Sequence, residues 1–286
     1  MFDEYKRIAL ISDIHSNHIA FEALYENLRK DSVQGIIFLG DYLTDCPYPM
    51  KTIEIMEVLK DEYSCHFIKG NREDYLLDYY FNKPDWSSPS GRGSLKYTYD
   101  NINEDILKWF DSLPLTIECD GQIYCHGSPN DNTELLHWHK PETPEWLRRV
   151  GKNILCGHTH VQGKYNAHGL YIINPGSVGV AMGDGKLGNY AIIELIDEDI
   201  RVDFISFEYD YKKLYKEFLE SNLFEIGGYF TRAIYRNIVT GKPITMYLLR
   251  DAFNLARDDG YSAEIIPEKY WERAAEKYGL TGDLND

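Results

Sequence analysis

Five short segments of this 286-residue chain carry side chains of the kinds that bind divalent metal ions. The segments are Ser12-Asp13-Ile14-His15, Gly40-Asp41, Gly70-Asn71-Arg72-Glu73, Cys125-His126-Gly127 and Gly157-His158-Thr159-His160. Their candidate ligands, in chain order, are Asp13, His15, Asp41, Asn71, His126, His158 and His160. Carboxylate, amide and imidazole donors without a thiolate are typical of catalytic sites rather than of structural zinc sites. The set therefore predicts a two-metal hydrolase.

Each segment taken alone also has an ordinary structural explanation. An Asp after a strand can cap it, a Gly-Asn pair can form a turn, and a histidine beside an apolar run can pack in the core. His158 and His160 flank a single residue, so in an extended segment both side chains point the same way. The conjunction of all five segments in a fixed order, each beside a predicted strand end, favours the metal site.

The elements that would position these residues alternate between strands and helices. Nearly continuous apolar runs at 7–12, 35–40 and 153–156 predict buried strands. Helical spacing of apolar residues separates the first two runs and recurs between 41 and 65, which predicts crossover units and a mainly parallel sheet. Because ligands gather at the carboxyl ends of such strands, Asp13, Asp41 and Asn71 are expected to lie together.

The pattern changes after Leu115. Apolar runs at 115–118 and 122–125 flank Asp120-Gly121, a dipeptide typical of a β-hairpin, so antiparallel pairing is expected there. Further runs at 170–173, 190–196 and 200–207 predict more strands and a second sheet packed on the first. By its composition, the segment 85–93 is predicted to be a surface loop.

The last 80 or so residues predict a helical appendage. Apolar residues at helical spacing recur three times in this region, between start and stop signals such as Pro267 and Gly279. The first set is Tyr211, Leu214, Tyr215, Phe218 and Leu219. We therefore divide the chain into a catalytic domain at 1–207 and a helical C-terminal extension at 208–286 that packs on it.

The five segments resemble the sequence blocks of the calcineurin-like metallophosphoesterase superfamily, especially its small bacterial and archaeal phosphodiesterase branch. The resemblance covers about residues 5–205. It implies an α/β fold, a four-layer α/β/β/α sandwich of two mixed sheets. It also implies a first metal held by Asp13, His15 and His160. The second metal would take Asn71, His126 and His158, with Asp41 bridging the two.

The implied activity is hydrolysis of a phosphate ester by a hydroxide that bridges the two metals. Mn²⁺ is our first choice because cellular availability can outrank affinity, while Fe, Zn, Ni and Co also suit such donors. A phosphodiesterase is favoured, with a phosphomonoesterase as one alternative. The other alternative is a scaffold of the same fold, as in the retromer subunit that resembles it without catalysing a reaction. Asn17 and the Asn174-Pro175-Gly176-Ser177 segment either support the site or act only as a helix cap and a turn.

Arg72 is a departure from the family pattern. Many members of the superfamily have a histidine directly after the metal-binding Asn and use it to protonate the leaving oxygen. A guanidinium stays charged and cannot act as that acid. Arg72 is expected either to contact a phosphate oxygen or to pair with Asp74 or another surface carboxylate.

The amino-acid composition limits the partners that this protein is expected to bind. The 46 acidic and 30 basic residues give a net charge of −16, which disfavours nucleic acid, a nuclease activity and an anionic membrane surface. We expect a small phosphorylated substrate instead. No secretion signal or membrane span is evident, and we interpret the five cysteines as reduced thiols, so a cytoplasmic enzyme is expected. The oligomeric state stays open.

Overall fold

The computed structural model describes residues 7–119, 121–196, 199–261 and 266–284. Its strands are β1 (Arg7–Ile11), β2 (Gly35–Phe38), β3 (Ser64–Phe67), β4 (Thr116–Cys119), β5 (Gln122–Cys125), β6 (Asn153–Leu155), β7 (Gly163–Ala167), β8 (Leu170–Asn174), β9 (Leu187–Ile196) and β10 (Asp199–Glu208). Its helices are α1 (His18–Asp31), α2 (Pro49–Glu62), α3 (Asn71–Asn82), α4 (Pro89–Asp100), α5 (Glu104–Ser112), α6 (Thr143–Val150), α7 (Tyr211–Glu220), α8 (Leu223–Ile226), α9 (Gly228–Thr240), α10 (Ile244–Asp258) and α11 (Glu268–Glu276).

Both sheets are mixed and have five strands within the described residues. The first has the order β10-β9-β1-β2-β3, in which β1, β2 and β3 are parallel and β9 and β10 are antiparallel additions. The second has the order β4-β5-β6-β8-β7, with a parallel centre at β5, β6 and β8. The predicted antiparallel pair β4–β5 is present, although Asp120 of its turn lies outside the described residues.

Apolar side chains stack the two sheets face to face. Leu10 and Ile37 of the first sheet share a buried cluster with Leu155 and Ile173 of the second. Helices α1, α2, α3 and α5 cover the outer face of the first sheet, and α6 covers the second through Leu147. The expected four-layer α/β/β/α sandwich of two mixed sheets is thus confirmed. Successive side chains of a strand point to opposite faces of its sheet, so each sheet supplies apolar side chains to both neighbouring layers.

The loop predicted at 85–93 is wrong in its second half, where α4 begins at Pro89. The Ser88 side chain accepts a hydrogen bond from the Gly91 amide at 3.2 Å, and Pro89 takes the first helical position, where its missing N–H has no cost. Gly93 lies so close to α8 that a Cβ there would come within 2.0 Å of the Ile226 carbonyl oxygen. Residues typical of loops thus form the start of α4 and allow its close contact with α8.

The C-terminal helices α7 to α11 form the predicted appendage and enclose a cluster of their own around Phe218, Leu248 and Trp271. The same cluster includes Cys46 and Val180 from the sheet-bearing part of the chain. The division at residue 207 into two domains stays a prediction. No helix in the described ranges has both the length and the apolar character of a transmembrane segment.

Candidate metal centre

The five segments meet where the parallel strands of both sheets end. Asp13 follows β1, Asp41 follows β2, and Asn71 opens α3 after β3, while His126 and His158 follow β5 and β6. Backbone contacts join neighbouring segments here, since the Gly157 amide donates to the His126 carbonyl at 2.8 Å. The carboxyl ends of neighbouring parallel strands therefore converge as expected.

Two groups of three side chains each bring their ligand atoms within 4.8 Å of one another. The first group is Asp13, His15 and His160, and the second is Asp41, His126 and His158. Asn71 joins the second group, because its Oδ1 lies 3.0 Å from Nε2 of His126. The structure thus brings all seven predicted ligands to one place.

Asp41 lies between the two groups. Its Oδ1 is 3.3 Å from Nε2 of His126, and its Oδ2 is 3.7 Å from Nε2 of His15. One carboxylate thus faces a histidine from each group. Asp41 therefore connects the two groups.

An orphaned oxygen on Asp13 fits a cation. Oδ2 accepts hydrogen bonds from the Ser12 hydroxyl at 2.6 Å and the His158 amide at 3.0 Å. Oδ1 is buried and has no hydrogen-bond partner within the described residues, and Nε2 of His160 lies 3.2 Å from it. A buried carboxylate oxygen without a hydrogen bond is costly unless a positive charge compensates it. The donor set and this oxygen together fit divalent ions.

Three of the four histidine rings are fixed by a backbone carbonyl at the nitrogen that faces away from the centre. Nδ1 of His126 lies 2.7 Å from the Leu39 carbonyl, and Nδ1 of His160 lies 2.7 Å from that of Val180. His158 uses its other nitrogen, because its Nε2 is 3.0 Å from the Thr133 carbonyl. Carbonyl oxygens can only accept, so each of these three rings donates there and directs its other nitrogen toward the centre.

Backbone conformation is unusual at five of the predicted ligands. They have positive φ angles of 55° at Asp13, 51° at His15, 56° at Asp41, 65° at His158 and 59° at His160. The left-handed region costs a non-glycine residue about 1 to 2 kcal/mol. Such strain persists where surrounding structure enforces it and clusters at functional sites, which supports a functional role for this cluster.

The Glu73 side chain holds the backbone of the Asp41 segment in place. No role for Glu73 was predicted from the sequence. Its buried carboxylate accepts from the amides of Asp41 and Tyr42, both at 2.9 Å, and from that of Gly70 at 2.8 Å. Gly40 packs directly on Gly70, where a Cβ on Gly40 would lie 2.6 Å from the Gly70 nitrogen. The glycines of both segments therefore permit close approach. The position of Glu73 at the start of α3 was the available signal.

Charge in the metal-free centre favours ionised carboxylates and a protonated histidine. Burial alone would raise the pKa of Asp13, but His160 and His126 lower that pKa to about 2. Burial opposes protonation of His126, yet Asp41 and Asp13 raise its pKa to about 9. Burial and the neighbouring His126 lower the pKa of His158 to about 4. A metal must therefore displace a proton from His126, so metal binding is pH-dependent.

The Asn174–Ser177 segment braces the site. Nδ2 of Asn174 donates to the Gly157 carbonyl at 2.6 Å, and the Ser177 hydroxyl donates to the Asp13 carbonyl at 2.7 Å. Both acceptors belong to segments that carry predicted ligands. Oδ1 of Asn174 also accepts from the Gly176 amide at 2.8 Å, so this segment is both a turn and a backbone support, the two interpretations that the sequence left open.

Asn17 combines the two roles that the sequence left open. Its Oδ1 caps α1 by accepting from the Ala20 amide at 3.1 Å. Its Nδ2 donates to the Gly179 carbonyl at 2.8 Å, in the chain that follows the Asn174–Ser177 segment. One side chain thus starts a helix and ties it to the neighbouring support of the site.

Arg72 pairs with a buried carboxylate rather than with a surface one. Its Nη2 lies 3.0 Å from Oδ2 of Asp45, whereas Asp74 pairs with Lys69 at 3.2 Å. The same Asp45 oxygen is 3.1 Å from Nδ1 of His15. Sequence reasoning missed Asp45, whose one signal was its place four residues after Asp41 in the same loop. Asp45 therefore links Arg72 to the predicted metal ligand His15.

Comparison with known proteins identifies the family. The model of the calcineurin-like phosphoesterase superfamily domain matches residues 7–198. The chain belongs to this superfamily. Uncharacterized protein MJ0912 of Methanocaldococcus jannaschii is 30% identical over 239 residues, which are 76% of this chain and 93% of that protein.

Solved structures share the fold of this superfamily member. A metallophosphoesterase from Sphaerobacter thermophilus has a TM-score of 0.65 and 24% identity, over 82% of this chain and all of the other. The hypothetical protein PH1004 from Pyrococcus horikoshii OT3 has a TM-score of 0.70 and 19% identity, over 82% of this chain and 98% of the other. The chain is a member of the calcineurin-like metallophosphoesterase family and has two candidate metal-binding clusters within its described residues. Members of this family are generally hydrolases that use divalent metal ions.

Proposed function

We propose that this protein is a dinuclear metal-dependent phosphodiesterase, with Mn²⁺ as the preferred ion. The observation that carries the proposal is that two ligand groups lie side by side with Asp41 facing both, and that a buried Asp13 oxygen has no hydrogen-bond partner among the described residues. Asp13, His15 and His160 would hold one ion, and Asn71, His126 and His158 the other, with Asp41 shared. When bound, the two ions supply a nucleophile from water at neutral pH and neutralise charge on the phosphoryl oxygens.

The protein's own residues hold this arrangement before substrate arrives. The carbonyls of Leu39 and Val180 fix the tautomers of His126 and His160, so both rings present Nε2. Glu73 fixes the backbone around Asp41 through three amides. A site held in advance avoids reorganisation during the reaction, which is the main source of electrostatic catalysis.

Arg72 replaces the general acid with a permanent cation. Its side chain is 18% exposed, and its pairing with Asp45 uses one nitrogen of a five-donor fork. Its Nε faces Oδ2 of Asp41 at 3.9 Å, and we assign the remaining donors to a phosphoryl oxygen, as in other arginine–phosphate pairs. Without an acid to protonate the leaving oxygen, reactions with poor leaving groups lose about 10²- to 10⁴-fold in rate. The favoured substrates are therefore phosphate esters with good leaving groups, such as aryl phosphodiesters.

A small phosphorylated molecule suits the charge of this protein better than nucleic acid does. The chain carries a net charge of −16, whereas two bound ions would oppose the charges of Asp13 and Asp41 locally. We place the enzyme in the cytoplasm, a location supported by the wholly buried thiols of Cys46, Cys125 and Cys156.

The test compares turnover of an aryl phosphodiester and an alkyl phosphomonoester by the Mn²⁺-loaded protein. We expect faster hydrolysis of the diester, and faster hydrolysis of the alkyl monoester would contradict the diesterase proposal. His126→Ala serves as the inactive control, because it removes a proposed ligand. Metal analysis separates the scaffold alternative, for which the Mn²⁺-incubated protein would retain no ion and neither substrate would react.

A further inference from the structure

We infer that the C-terminal helices are part of the metal centre's framework, because the α9–α10 turn at Gly241 holds the loop that positions His160. This inference rests on the proposed metal ligands and assigns a role to the helical extension. The loop consists of residues 180–186, which run from Val180, whose carbonyl contacts the His160 ring, to the residue before β9. We call it the His160 loop.

The α9–α10 turn and the His160 loop are in direct backbone contact. The Gly183 amide donates to the Gly241 carbonyl at 2.9 Å, and the Lys186 amide donates to the Ile238 carbonyl at 2.6 Å. Gly241 has a φ of +66°, and a Cβ there would lie 2.1 Å from the Gly183 carbonyl oxygen. A backbone oxygen cannot move aside as a flexible side chain can. Only glycine therefore allows this approach.

The His160 loop in turn fixes His160 at two points. The Met182 amide donates to the His160 carbonyl at 3.2 Å. Nδ1 of His160 donates to the Val180 carbonyl at 2.7 Å, which directs Nε2 toward Asp13. Both the backbone and the ring orientation of this proposed ligand thus depend on the loop that Gly241 holds.

Apolar packing joins the same parts of the molecule. The Val180 side chain is buried in the cluster formed by the C-terminal helices, together with Leu214 and Ile238. Its carbonyl, on the same residue, is the acceptor for His160. A displacement of α9 would therefore move the hydrogen-bond partner of a proposed ligand. Outer partners of metal-binding histidines commonly set metal affinity.

The experiment is a calorimetric titration of Mn²⁺ into the metal-free, full-length protein and its Gly241→Ala variant. Gly279→Ala is the matched control, because Gly279 has nearly the same φ of +64° but no atom within 4 Å of its Cβ position. Both variants place alanine in the left-handed region. Only Gly241→Ala also disturbs the His160 loop.

We expect two Mn²⁺ sites in the wild type, and in Gly241→Ala one of them weakened about 10- to 100-fold. Gly279→Ala should bind both ions within about twofold of the wild type. Amide exchange at Met182 should also accelerate in Gly241→Ala alone. Equal Mn²⁺ affinities in the two variants would overturn the inference, whereas a wild type that binds no Mn²⁺ would overturn the proposed function itself.

A second pair approaches the same contact from the loop side, in case Gly241→Ala does not fold. Gly185 has a φ of +75°, and a Cβ there would lie 2.4 Å from the Val239 carbonyl oxygen. Its control is Gly169, with a φ of +76° and no atom within 4 Å. Gly185→Ala should weaken one Mn²⁺ site and Gly169→Ala should weaken neither. Unchanged Mn²⁺ binding by Gly185→Ala would contradict the inference.

Discussion

Replacing Asp45 by asparagine should destabilise the metal-free protein and weaken metal binding together. The Asp45 carboxylate is 1% exposed and lies 3.0 Å from the Arg72 guanidinium and 3.1 Å from Nδ1 of His15. Its other oxygen accepts from the Ser94 hydroxyl at 3.2 Å. The asparagine side chain would keep the shape but turn one oxygen into a donor and remove the charge. The variant therefore leaves Arg72 with only the more distant Asp41 carboxylate.

The magnitude follows from burial and from the loss of the negative charge that faces Arg72 and His15. Removing one partner of a buried ion pair costs about 3 to 5 kcal/mol, and a hydrogen bond to a charged group is worth about 1.5 to 3 kcal/mol. Because Arg72 keeps 18% of its side-chain surface exposed, we expect the lower end of the ion-pair range, about 3 kcal/mol. Replacing the charged acceptor of His15 with a neutral amide should also reduce metal affinity about 10- to 100-fold.

The assay is urea unfolding of the metal-free protein, followed by Mn²⁺ calorimetry. Asp100→Asn is the control, because Asp100 pairs with Lys96 on an exposed helix surface, where such pairs contribute about 1 kcal/mol or less. A double-mutant cycle with Arg72→Gln should give a coupling free energy above about 1 kcal/mol. The reasoning fails if Asp45→Asn behaves like the surface control and keeps the wild-type affinity for Mn²⁺.

Three further predictions address other parts of the molecule. Gly70→Ala would place a Cβ 2.3 Å from Oδ1 of Asp41. It should therefore lower the free energy of unfolding by about 1 to 3 kcal/mol in urea and weaken Mn²⁺ binding in calorimetry. Wild-type stability and wild-type Mn²⁺ affinity in this variant would exclude the close packing. Chelation of Mn²⁺ should lower the midpoint temperature of thermal unfolding, because free Mn²⁺ at about 100 times its Kd stabilises the folded protein by about 2.7 kcal/mol. A calorimetric unfolding transition that chelation does not shift would count against a specific Mn²⁺ site. Lys277 and Tyr278 lower the pKa of Asp251 to about 2 from 3.8, so its stabilisation is present above pH 3.8 and lost as the pH falls toward 2. Asp251→Asn should thus cost about 1 kcal/mol at neutral pH and nothing in strong acid, as measured by urea unfolding, and an equal cost at both would contradict the ion pair.

The fold was predictable where local pattern and burial agree. The runs at 7–12 and 35–40 are continuous apolar strands because both faces of their sheet are covered, and β1 and β2 are buried accordingly. The start of α4 was missed, because Ser88, Pro89 and Gly91 are typical of loops and also of helix starts. Local composition alone cannot separate the two when the deciding contact, Gly93 against α8, is distant in sequence.

The candidate site divides in the same way. The convergence of the seven predicted ligands could be foreseen because each follows a strand within a few residues. Asp45 and Glu73 could not, since their roles depend on partners far away in sequence, Arg72 and His15 for the first and Asp41 for the second. The contribution of Gly241 was also out of reach. Its significance lies entirely in the backbone of a loop from another part of the chain.

The most direct test of the two-metal account is an anomalous difference map from crystals of the Mn²⁺-loaded protein, recorded at the manganese absorption edge. The account predicts two peaks. One should lie among Asp13, His15 and His160, and the other among Asn71, His126 and His158, with Asp41 contacting both. A map without peaks at these positions, or with manganese bound elsewhere in the molecule, would contradict it.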